Sequence, residues 1–379
     1  MGGRMEFTCE RGEILDALAA VQAVIPGRTT HPVLSNVLLT AESGKVTILG
    51  TDLDISITGE FSAEIIAEGT FALPAKKLLD LLKELSSGEI KFRRDKSRVE
   101  ISQGSGRFFI GGVEKDDYPA EDILRGETSE VKLGAEDFKR VLEGTSYAIS
   151  ADAARIALSG LLIAITGKSL TTVATDGHRL TMLKKEIDLG GDFEKELNVP
   201  AKTVNHLVRM VGEAKEEIVI EYADNTARFK IGAFTITSKL INEKFPDYNQ
   251  VIPRENKNVM ICDRGLLMAA LKRATVLSNP ITHLIRFAIS ENKLEISCSN
   301  YDVGGEAFEE IPVEYSSEPI NIGFNSTYLL EVLRHFETDE VKVLLKSALA
   351  SALWVPLPHN EGEEYLSILM PLRLPEAEA

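Results

Sequence analysis

The sequence contains few cysteines and no long apolar run. Its 379 residues include three cysteines, Cys9, Cys262 and Cys298, which lie far apart and form no C-x-x-C pair. This spacing disfavours a disulfide framework and a zinc site, and it fits a reducing compartment. The longest apolar runs, such as residues 266–271, are far shorter than the ~20 residues that span a bilayer. Residues 1–11 lack the apolar core of a secretory signal. We therefore expect a cytoplasmic protein that does not contact membranes.

The sequence also lacks the common catalytic and nucleotide-binding motifs. G-x-x-x-x-G-K-[ST], G-x-G-x-x-G, H-E-x-x-H and G-x-S-x-G are all missing, and the six histidines are scattered. Asp176 and His178 could form an acid–base pair, but their spacing supplies neither a nucleophile nor an oxyanion donor. We expect no catalytic residues, no metal and no cofactor. An enzyme centred on Asp176 and His178 remains an alternative.

Positive charge is scarce, and its distribution is uneven. Lysine and arginine number 42 against 58 acidic residues, which gives a formal net charge of −16. This balance excludes a protein with a generally basic surface for nucleic acid, but it does not exclude a local basic face. The six predicted helices together carry +3 and the rest of the chain −19. If the helices face one way, that face is the plausible contact for a polyanion; otherwise they are ordinary solvated helices.

Three separate signals repeat at one period. Helix-start patterns at residues 73–82, 199–208 and 324–333 are 126 and 125 residues apart. The pairs Thr51-Asp52, Thr175-Asp176 and Ser299-Asn300 each follow a strand-like run at steps of 124. The pairs Tyr118-Pro119, Phe245-Pro246 and Met370-Pro371 mark the repeat ends. The sequence therefore predicts three similar domains, at residues 5–127, 128–256 and 257–379.

Each repeat is predicted to have the same internal order of helix, strands, helix and strands. Helical periodicity covers residues 10–28, 72–85, 136–147, 198–211, 263–279 and 323–336, and alternating strand patterns separate these segments. The pattern favours an α+β fold with two helices per domain packed on mostly antiparallel sheet. Similar domains that contact one another in the same way make head-to-tail contacts, which close into rings or extend as filaments. Three duplicated domains without a ring are the alternative.

The turn after the second Thr-Asp pair differs from its two counterparts. Residues 175–180 read Thr-Asp-Gly-His-Arg-Leu, whereas residues 51–56 and 299–304 lack Gly-His-Arg. Glycine permits positive φ, and His178 and Arg179 add hydrogen-bond donors beside the apolar Leu180. A change in one copy of a repeated scaffold suggests a function performed once per chain. We interpret it as part of an apolar pocket for a peptide; an ordinary turn is the alternative.

Residues 174–180, 245–248 and 370–374 together resemble the family of bacterial DNA polymerase III beta subunits, the DNA sliding clamps. The resemblance covers the whole chain, since its length, threefold repeat and motifs follow the family order. It implies three DNA-clamp domains per chain and a head-to-tail homodimer that forms a ring of six domains. Such a ring encircles duplex DNA regardless of sequence and confers processivity without catalysis. The implied partners are the DNA polymerase III alpha subunit, a clamp loader and other clamp-binding-motif proteins of replication and repair.

The resemblance also implies which residues make contacts. The partner-peptide pocket, between the second and third domains, would comprise Leu158, Thr175, Gly177, His178, Arg179, Leu180, Pro246, Val251, Ile368, Met370, Pro371, Leu372 and Arg373. DNA-facing residues would be Arg28, Lys76, Lys77, Arg155 and Lys202. The dimer interface would pair Phe108 and Ile110 with Val276 and Leu277 of the second copy.

Two features depart from the family pattern. Residues 375–379 continue past the usual end with an acidic tail, and Asn249-Gln250 stand where a basic residue is common. A scaffold built from repeats that binds peptides but never DNA is a further alternative.

Overall fold

The computed structural model describes residues 4–27, 29–119, 124, 127–212, 217–300 and 304–375. Within these ranges the strands that build the sheets pair in antiparallel fashion, which confirms the predicted α+β class. In the described part of the chain each repeat contains two α-helices, as predicted. They are α1 Arg11–Gln22, α2 Ala75–Glu84, α3 Ala135–Thr145, α4 Ala201–Val211, α5 Arg264–Thr275 and α6 Ser326–His335.

Among the described residues the strands follow the same order in each repeat, except that the first repeat has one additional strand, β5. In the first repeat they are β1 Glu6–Glu10, β2 Asn36–Glu42, β3 Lys45–Thr51, β4 Ile55–Ser62, β5 Glu64–Ala67, β6 Gly69–Pro74, β7 Glu89–Asp95, β8 Arg98–Gln103 and β9 Gly106–Gly111. In the second they are β10 Ser129–Gly134, β11 Gly160–Thr166, β12 Ser169–Thr175, β13 Arg179–Glu186, β14 Glu194–Pro200, β15 Glu217–Ala223, β16 Thr226–Ile231 and β17 Phe234–Lys239. In the third they are β18 Asn258–Asp263, β19 Leu284–Ser290, β20 Lys293–Asn300, β21 Gly305–Pro312, β22 Ile320–Asn325, β23 Glu340–Leu345, β24 Ala352–Leu357 and β25 Glu363–Leu369.

The first compact unit combines residues 1–138 with residues 205–240. It contains a five-stranded sheet of order β5-β1-β7-β8-β9 and an eight-stranded sheet of order β10-β15-β16-β17-β4-β3-β2-β6. In the larger sheet β17 of the second repeat pairs with β4 of the first, from Phe234↔Gly59 to Ser238↔Ile55. One hydrogen-bonded sheet thus joins strands of two consecutive repeats.

The second compact unit combines residues 139–204 with residues 241–379. Its eight-stranded sheet has the order β14-β11-β12-β13-β25-β24-β23-β18, and its four-stranded sheet has the order β21-β20-β19-β22. Here β13 of the second repeat pairs with β25 of the third, from Arg179↔Leu369 to Lys185↔Glu363. The sheets therefore divide the second repeat between the two units, although the sequence shows it as one period.

The second helix of each repeat begins near the predicted start pattern because local signals favour a helix there. Pro74 precedes α2, and its fixed φ suits a helix entry. The side chain of Asn325 caps α6 by accepting hydrogen bonds from the backbone N–H groups of Thr327 (2.9 Å) and Tyr328 (3.2 Å). Apolar residues at helical spacing then bury one face of each helix, as in α2 with Leu78, Leu79 and Leu82.

An ion-pair cluster joins three strands of the five-stranded sheet. The side chain of Glu100 on β8 is 8% exposed and accepts hydrogen bonds from Arg93 Nη2 on β7 (2.6 Å) and from Arg107 on β9. These bonds, that of Arg107 foremost, lower the pKa of Glu100 to about 2. The carboxylate is therefore held ionised between two guanidinium groups.

We predict that Glu100 stabilises the fold at neutral pH and loses this effect in acid. The pKa of Glu100 is about 2 in the folded chain against an ordinary value of 4.5. Its contribution to the free energy of unfolding is therefore complete above pH 4.5 and is lost as the pH falls toward 2. Glu100→Gln should lower Tm at pH 7, and the difference from wild type should shrink below pH 4.5 in thermal unfolding followed by circular dichroism.

Asp95→Asn is the control for this measurement. Asp95 pairs with Arg98 at 3.5 Å, and both side chains are about half exposed, so removing its charge should have a smaller effect. A difference between wild type and Glu100→Gln that stays constant from pH 7 into the acid range would contradict the prediction.

Candidate functional site

A tight turn connects β12 to β13 and is held by two side chains. The Thr175 hydroxyl donates to the carbonyl oxygen of Arg179 (2.6 Å) and accepts from the N–H of Gly177 (3.1 Å). Asp176 Oδ1 accepts from the N–H groups of His178 (2.9 Å) and Arg179 (3.0 Å). We call residues 175–180 the cavity turn, because they border the cavity described below.

The first repeat contains the same turn between β3 and β4. Thr51 donates to the carbonyl oxygen of Ile55 (2.9 Å) and accepts from the N–H of Leu53 (3.0 Å). Asp52 Oδ1 accepts from the N–H groups of Asp54 (3.0 Å) and Ile55 (2.8 Å). The repeated Thr-Asp pair therefore specifies one turn geometry in both copies. In the third copy residues 301–303 lie outside the described residues.

Gly177 lets an arginine approach the cavity turn. Its φ of 87° lies in the left-handed region, and a β-carbon there would collide with Arg155 Nη1. Arg155 Nη1 donates to the carbonyl oxygen of Asp176 (2.7 Å), and its Nε lies 3.5 Å from Asp152 Oδ2. The structure thus places Arg155, which the resemblance assigned to DNA, against the cavity turn.

A cavity of about 220 Å³ lies beside this turn. Ten of the thirteen predicted pocket residues line it, and they come from the cavity turn, the segment after β17, the end of β25 and Leu158. They are Leu158, Thr175, Gly177, His178, Arg179, Leu180, Pro246, Val251, Ile368 and Met370. The sequence interpretation missed four further lining residues, Phe245, Asp247, Tyr248 and Ser351.

The cavity has an apolar floor and a partly exposed apolar rim. Leu180 and Ile368 are opposite one another on β13 and β25 and are buried in a cluster with Phe245. Met370, at the rim, is 52% exposed, and Val251 is also exposed. Such a surface suits an apolar ligand, because covering it removes apolar area from water.

The C-terminal segment continues from the cavity to another strand. The N–H of Met370 donates to the carbonyl oxygen of His178 (2.9 Å), whereas the N–H of Leu372 donates to that of Gly323 on β22 (2.8 Å). A β-carbon on Gly323 would collide with the carbonyl oxygen of Leu372, so glycine permits this contact. Because the chain turns to β22 at this point, the predicted Pro371, Leu372 and Arg373 are not among the lining residues.

Asp247 and Tyr248 belong to the motif at residues 245–248 that supports the family resemblance. This motif was a signal that could have placed them at the cavity. Asp247 Oδ2 accepts from Gln250 Nε2 (3.0 Å) and Oδ1 accepts from the N–H of Asn249 (3.1 Å). These bonds, that from Gln250 first, lower the pKa of Asp247. Burial, as the main cause, raises the pKa of Tyr248. Asn249 and Gln250, which replace the expected basic residue, thus order the loop that carries Tyr248.

The side chain of Arg179 is directed into the protein. It is 7% exposed, its Nε donates to Asp176 Oδ2 (3.1 Å) and its Nη2 donates to the carbonyl oxygen of Tyr147 (2.8 Å). Its Nη1 pairs with Glu331 of α6. The guanidinium carbon lies 5.4 Å from the ring centroid of Tyr147 and 4.4 Å from that of Tyr328. Arg179 therefore donates to acceptors within the protein, rather than to a bound peptide as the sequence interpretation expected.

The predicted DNA-facing lysines occupy the starts of helices. Lys76 and Lys77 are exposed in the first turn of α2, and Lys202 is exposed in the first turn of α4. Arg28 lies outside the described residues.

The predicted dimer-interface residues lie on the protein surface. Phe108 and Ile110 are on β9, the last strand of its sheet, and Phe108 is exposed. Val276 and Leu277 directly follow α5, and Val276 is 79% exposed.

The described residues contain little that would support catalysis. No group of three or more histidine, cysteine or acidic side chains among them could hold a metal ion. The three cysteines are buried and form no disulfide bond with one another. Asp176 is bound within the cavity turn and to Arg179, which disfavours the alternative of an acid–base pair with His178. In the described part of the chain, every helix is too short or too polar to cross a membrane.

Three family profiles match the chain in succession. They are described as the N-terminal, central and C-terminal domains of the DNA polymerase III beta subunit, and they match residues 5–122, 132–247 and 249–373. Together they cover most of the sequence, in the order that the repeats predict.

Relatives and solved structures agree with these profiles over nearly the full length. The beta sliding clamp of Pseudomonas aeruginosa is 35% identical over 372 residues, which are 98% of this chain and 100% of the relative. That of Vibrio cholerae is 31% identical with the same coverage. The crystal structure of the P. aeruginosa DNA polymerase III subunit beta has a TM-score of 0.93 at 34% identity, covering 98% of this chain and 100% of that one.

A sliding clamp from Bartonella birtlesii was crystallised bound to griselimycin. It has a TM-score of 0.92 at 33% identity and covers 98% of this chain and 100% of its own. The predicted resemblance is confirmed by the profiles and relatives: the chain belongs to the family of DNA polymerase III beta subunits, the beta sliding clamps.

Proposed function

We propose that two copies of this chain join head to tail in a ring that encircles duplex DNA and slides along it. Membership of the family makes the chain a non-catalytic processivity clamp for DNA polymerase III. The observation that carries the proposal is the match of three consecutive clamp domains over nearly the whole chain. We retain residues 5–127, 128–256 and 257–379 as the proposed domain limits, and the cytoplasm as the proposed location.

Ring closure is supported by exposed apolar residues on two strand edges. β9 and β21 each end their sheet, and edge strands offer unpaired backbone groups to another chain. Phe108 on β9 is exposed. Phe308 on β21 and Val276 after α5 have larger exposed fractions than Phe108. We propose that Phe108 and Ile110 of one copy pack against Val276 and Leu277 of the other, near these edges.

DNA contact is supported by lysines in positions that helices do not favour. Lys76, Lys77 and Lys202 lie in first turns, where the helix dipole disfavours positive charge by about 0.3–1 kcal/mol per residue. A role in binding phosphates would explain why they are there. The chain as a whole carries −16, so contact with DNA is weak outside such positions. Weak contacts suit a ring that holds DNA by topology and must slide.

The cavity is proposed to bind partner proteins through a short, mostly apolar segment. Its apolar floor and exposed rim provide the area, and relatives from P. aeruginosa and B. birtlesii have been crystallised with griselimycin. The proposed partners are the DNA polymerase III alpha subunit, the clamp loader and other proteins that carry clamp-binding motifs. Arg373 and its neighbours remain proposed contacts outside the cavity itself.

We predict that the chain increases the processivity of DNA polymerase III. With its cognate polymerase and clamp loader on primed single-stranded circular DNA, adding the chain should lengthen the products of a single binding event. The combined variant Lys76→Gln, Lys77→Gln and Lys202→Gln should lower DNA affinity. It should also reduce the log–log salt slope by at most ~0.9 for each lysine that neutralises a phosphate in wild type.

Three hairpin lysines provide the control for charge alone. Lys45→Gln, Lys96→Gln and Lys168→Gln remove the same net charge from turn and strand positions, and they should leave the salt slope unchanged. Unchanged product lengths would contradict the clamp proposal. If wild type gives normal processivity but the helix-start and hairpin triple variants have equal salt slopes of DNA affinity, only the choice of DNA-facing lysines would be contradicted.

We predict that charge at the proposed interface separates the dimer. Wild-type protein should sediment with about twice its chain mass of 41.6 kDa, and Val276→Asp with Leu277→Asp should shift it to the monomer, because carboxylates would be buried unpaired. Leu349→Asp is the matched control, since Leu349 is 73% exposed outside the proposed interface. A wild-type monomer at micromolar concentration in analytical ultracentrifugation would refute ring closure by two copies.

We predict that griselimycin binds at the cavity rim. Met370→Asp should weaken binding by at least about tenfold in isothermal titration calorimetry, because the ligand would have to desolvate a carboxylate. Ile66→Asp is the control, since Ile66 is 53% exposed, like Met370, but lies on β5. Equal affinities for the two variants would place the binding site elsewhere.

A further inference from the structure

We propose that Arg179 couples the cavity turn to helix α6 and that Glu331, which does not line the cavity, is a positioning residue for ligand binding. The proposal rests on the proposed role of the cavity as a binding site. It predicts that a ligand in the cavity and the order of α6 affect each other.

The turn does not need an arginine to form. In the first repeat Ile55, a buried residue, stands at the position of Arg179, and the Thr51 and Asp52 side chains make the same hydrogen bonds. The arginine therefore adds a contact to a turn that forms without it. Burying a guanidinium is costly unless it is paired, so this added contact must compensate for its desolvation.

The side chain of Arg179 extends from the cavity turn to helix α6. Arg179 lines the cavity, and its guanidinium leaves the turn to pair with Glu331 and to lie 4.4 Å from the ring centroid of Tyr328. Tyr328 and Glu331 are three residues apart on α6 and thus share one face of that helix. A single side chain therefore connects the cavity turn with one helix face in the third repeat.

Tyr147 also restrains the guanidinium of Arg179. Arg179 Nη2 donates to the carbonyl oxygen of Tyr147, and the Tyr147 ring stacks on His335 of α6 with centroids 4.1 Å apart. The Tyr147 hydroxyl lies within hydrogen-bond distance of Thr181 (2.9 Å) and Ser367 (3.2 Å). Tyr147 is therefore held by both β13 and β25, and it holds Arg179 against the end of α6.

These contacts restrict the cavity turn before a ligand arrives. A turn that is already ordered loses less conformational entropy on binding, so the ligand binds more tightly. By linkage, a ligand that orders the turn must stabilise its contacts with α6 by the same coupling free energy. Weakening the Arg179–Glu331 pair should therefore reduce affinity without removing any surface of the cavity.

Another ion pair in the same unit provides a matched control. Arg140 of α3 donates to Glu363 of β25 through Nε (3.3 Å) and Nη2 (3.2 Å). This pair also joins the second and third repeats, and neither residue lines the cavity. Glu363→Gln should therefore lower stability without changing the affinity of the cavity.

The experiment compares wild type, Glu331→Gln, Glu363→Gln and Arg179→Lys in titrations with griselimycin. Glu331→Gln should fold, because Asp176 remains to neutralise Arg179, and it should weaken binding by about fivefold, at the low end of measured couplings. Arg179→Lys should weaken it similarly, and adding Glu331→Gln to it should have little further effect. Glu363→Gln should bind like wild type.

Hydrogen–deuterium exchange gives a second readout. In wild type, griselimycin should slow amide exchange in residues 326–335 as well as in residues 175–180, and in Glu331→Gln the slowing in 326–335 should disappear. Without ligand, Glu331→Gln should exchange faster than wild type in residues 175–180, whereas Glu363→Gln should not.

The two readouts separate failure of this inference from failure of the proposed binding function. If wild type does not bind griselimycin, the binding proposal fails for this ligand, and the ligand-free exchange in residues 175–180 still decides the coupling. If Glu331→Gln matches wild type in both affinity and exchange, or if Glu363→Gln changes both equally, the coupling is refuted.

Discussion

The pairing of β13 with β25 is the interaction on which the cavity depends. It places Arg179 opposite Leu369 and Leu180 opposite Ile368, so that residues nearly 190 positions apart become neighbours. The turn before β13 and the segment after β25 then emerge at the same end of the sheet. Because side chains alternate across a strand, a shift of one residue in this pairing would move either Leu180 or Ile368 to the other face and disrupt the cavity floor.

The second repeat keeps the turn of the first repeat and adds contacts to it. The Thr-Asp pair forms the same hydrogen bonds in the first and second repeats. The turn has a left-handed φ at the first of the three residues that follow the pair, 80° at Leu53 and 87° at Gly177, but the three residues differ in identity between the two repeats. In the second repeat they are Gly177, His178 and Arg179. Glycine admits Arg155, and Arg179 reaches α6, so two small changes connect one turn to two neighbouring elements.

The charge distribution fits a protein that holds its substrate by topology. A net charge of −16 opposes general adhesion to DNA. Lysines at the starts of α2 and α4 are costly for the helices themselves, and phosphate contact would offset that cost. In the proposed ring, weak and exchangeable contacts permit sliding, whereas the partners are held at a separate apolar cavity. In this proposal, affinity for DNA and affinity for partners are set by different residues, apart from Arg155, which contacts the cavity turn.

Much of the fold and of the cavity could be predicted from the sequence, because the relevant signals are local. Apolar residues at helical spacing predicted the six helices, and the second helix of each repeat begins within about two residues of its pattern. The repeated Thr-Asp pairs fall at strand ends, as predicted. The family resemblance indicated ten lining residues, and seven of them lie in the three motifs, which stand at the ends of elements that border the cavity.

Tertiary structure alone decided which strands pair across the repeats and where long side chains reach. No local pattern indicates that β17 pairs with β4 or β13 with β25, since pairing partners are chosen by packing over long sequence separations. The same reason applies to Arg179, whose partner Glu331 lies 152 residues away. It applies also to Leu372, which lies outside the cavity. Its backbone pairs with Gly323 on β22, where any side chain would block the contact. The sequence by itself thus determined the repeats, the helices and the family, whereas side-chain contacts between distant segments determined the final shape of the site.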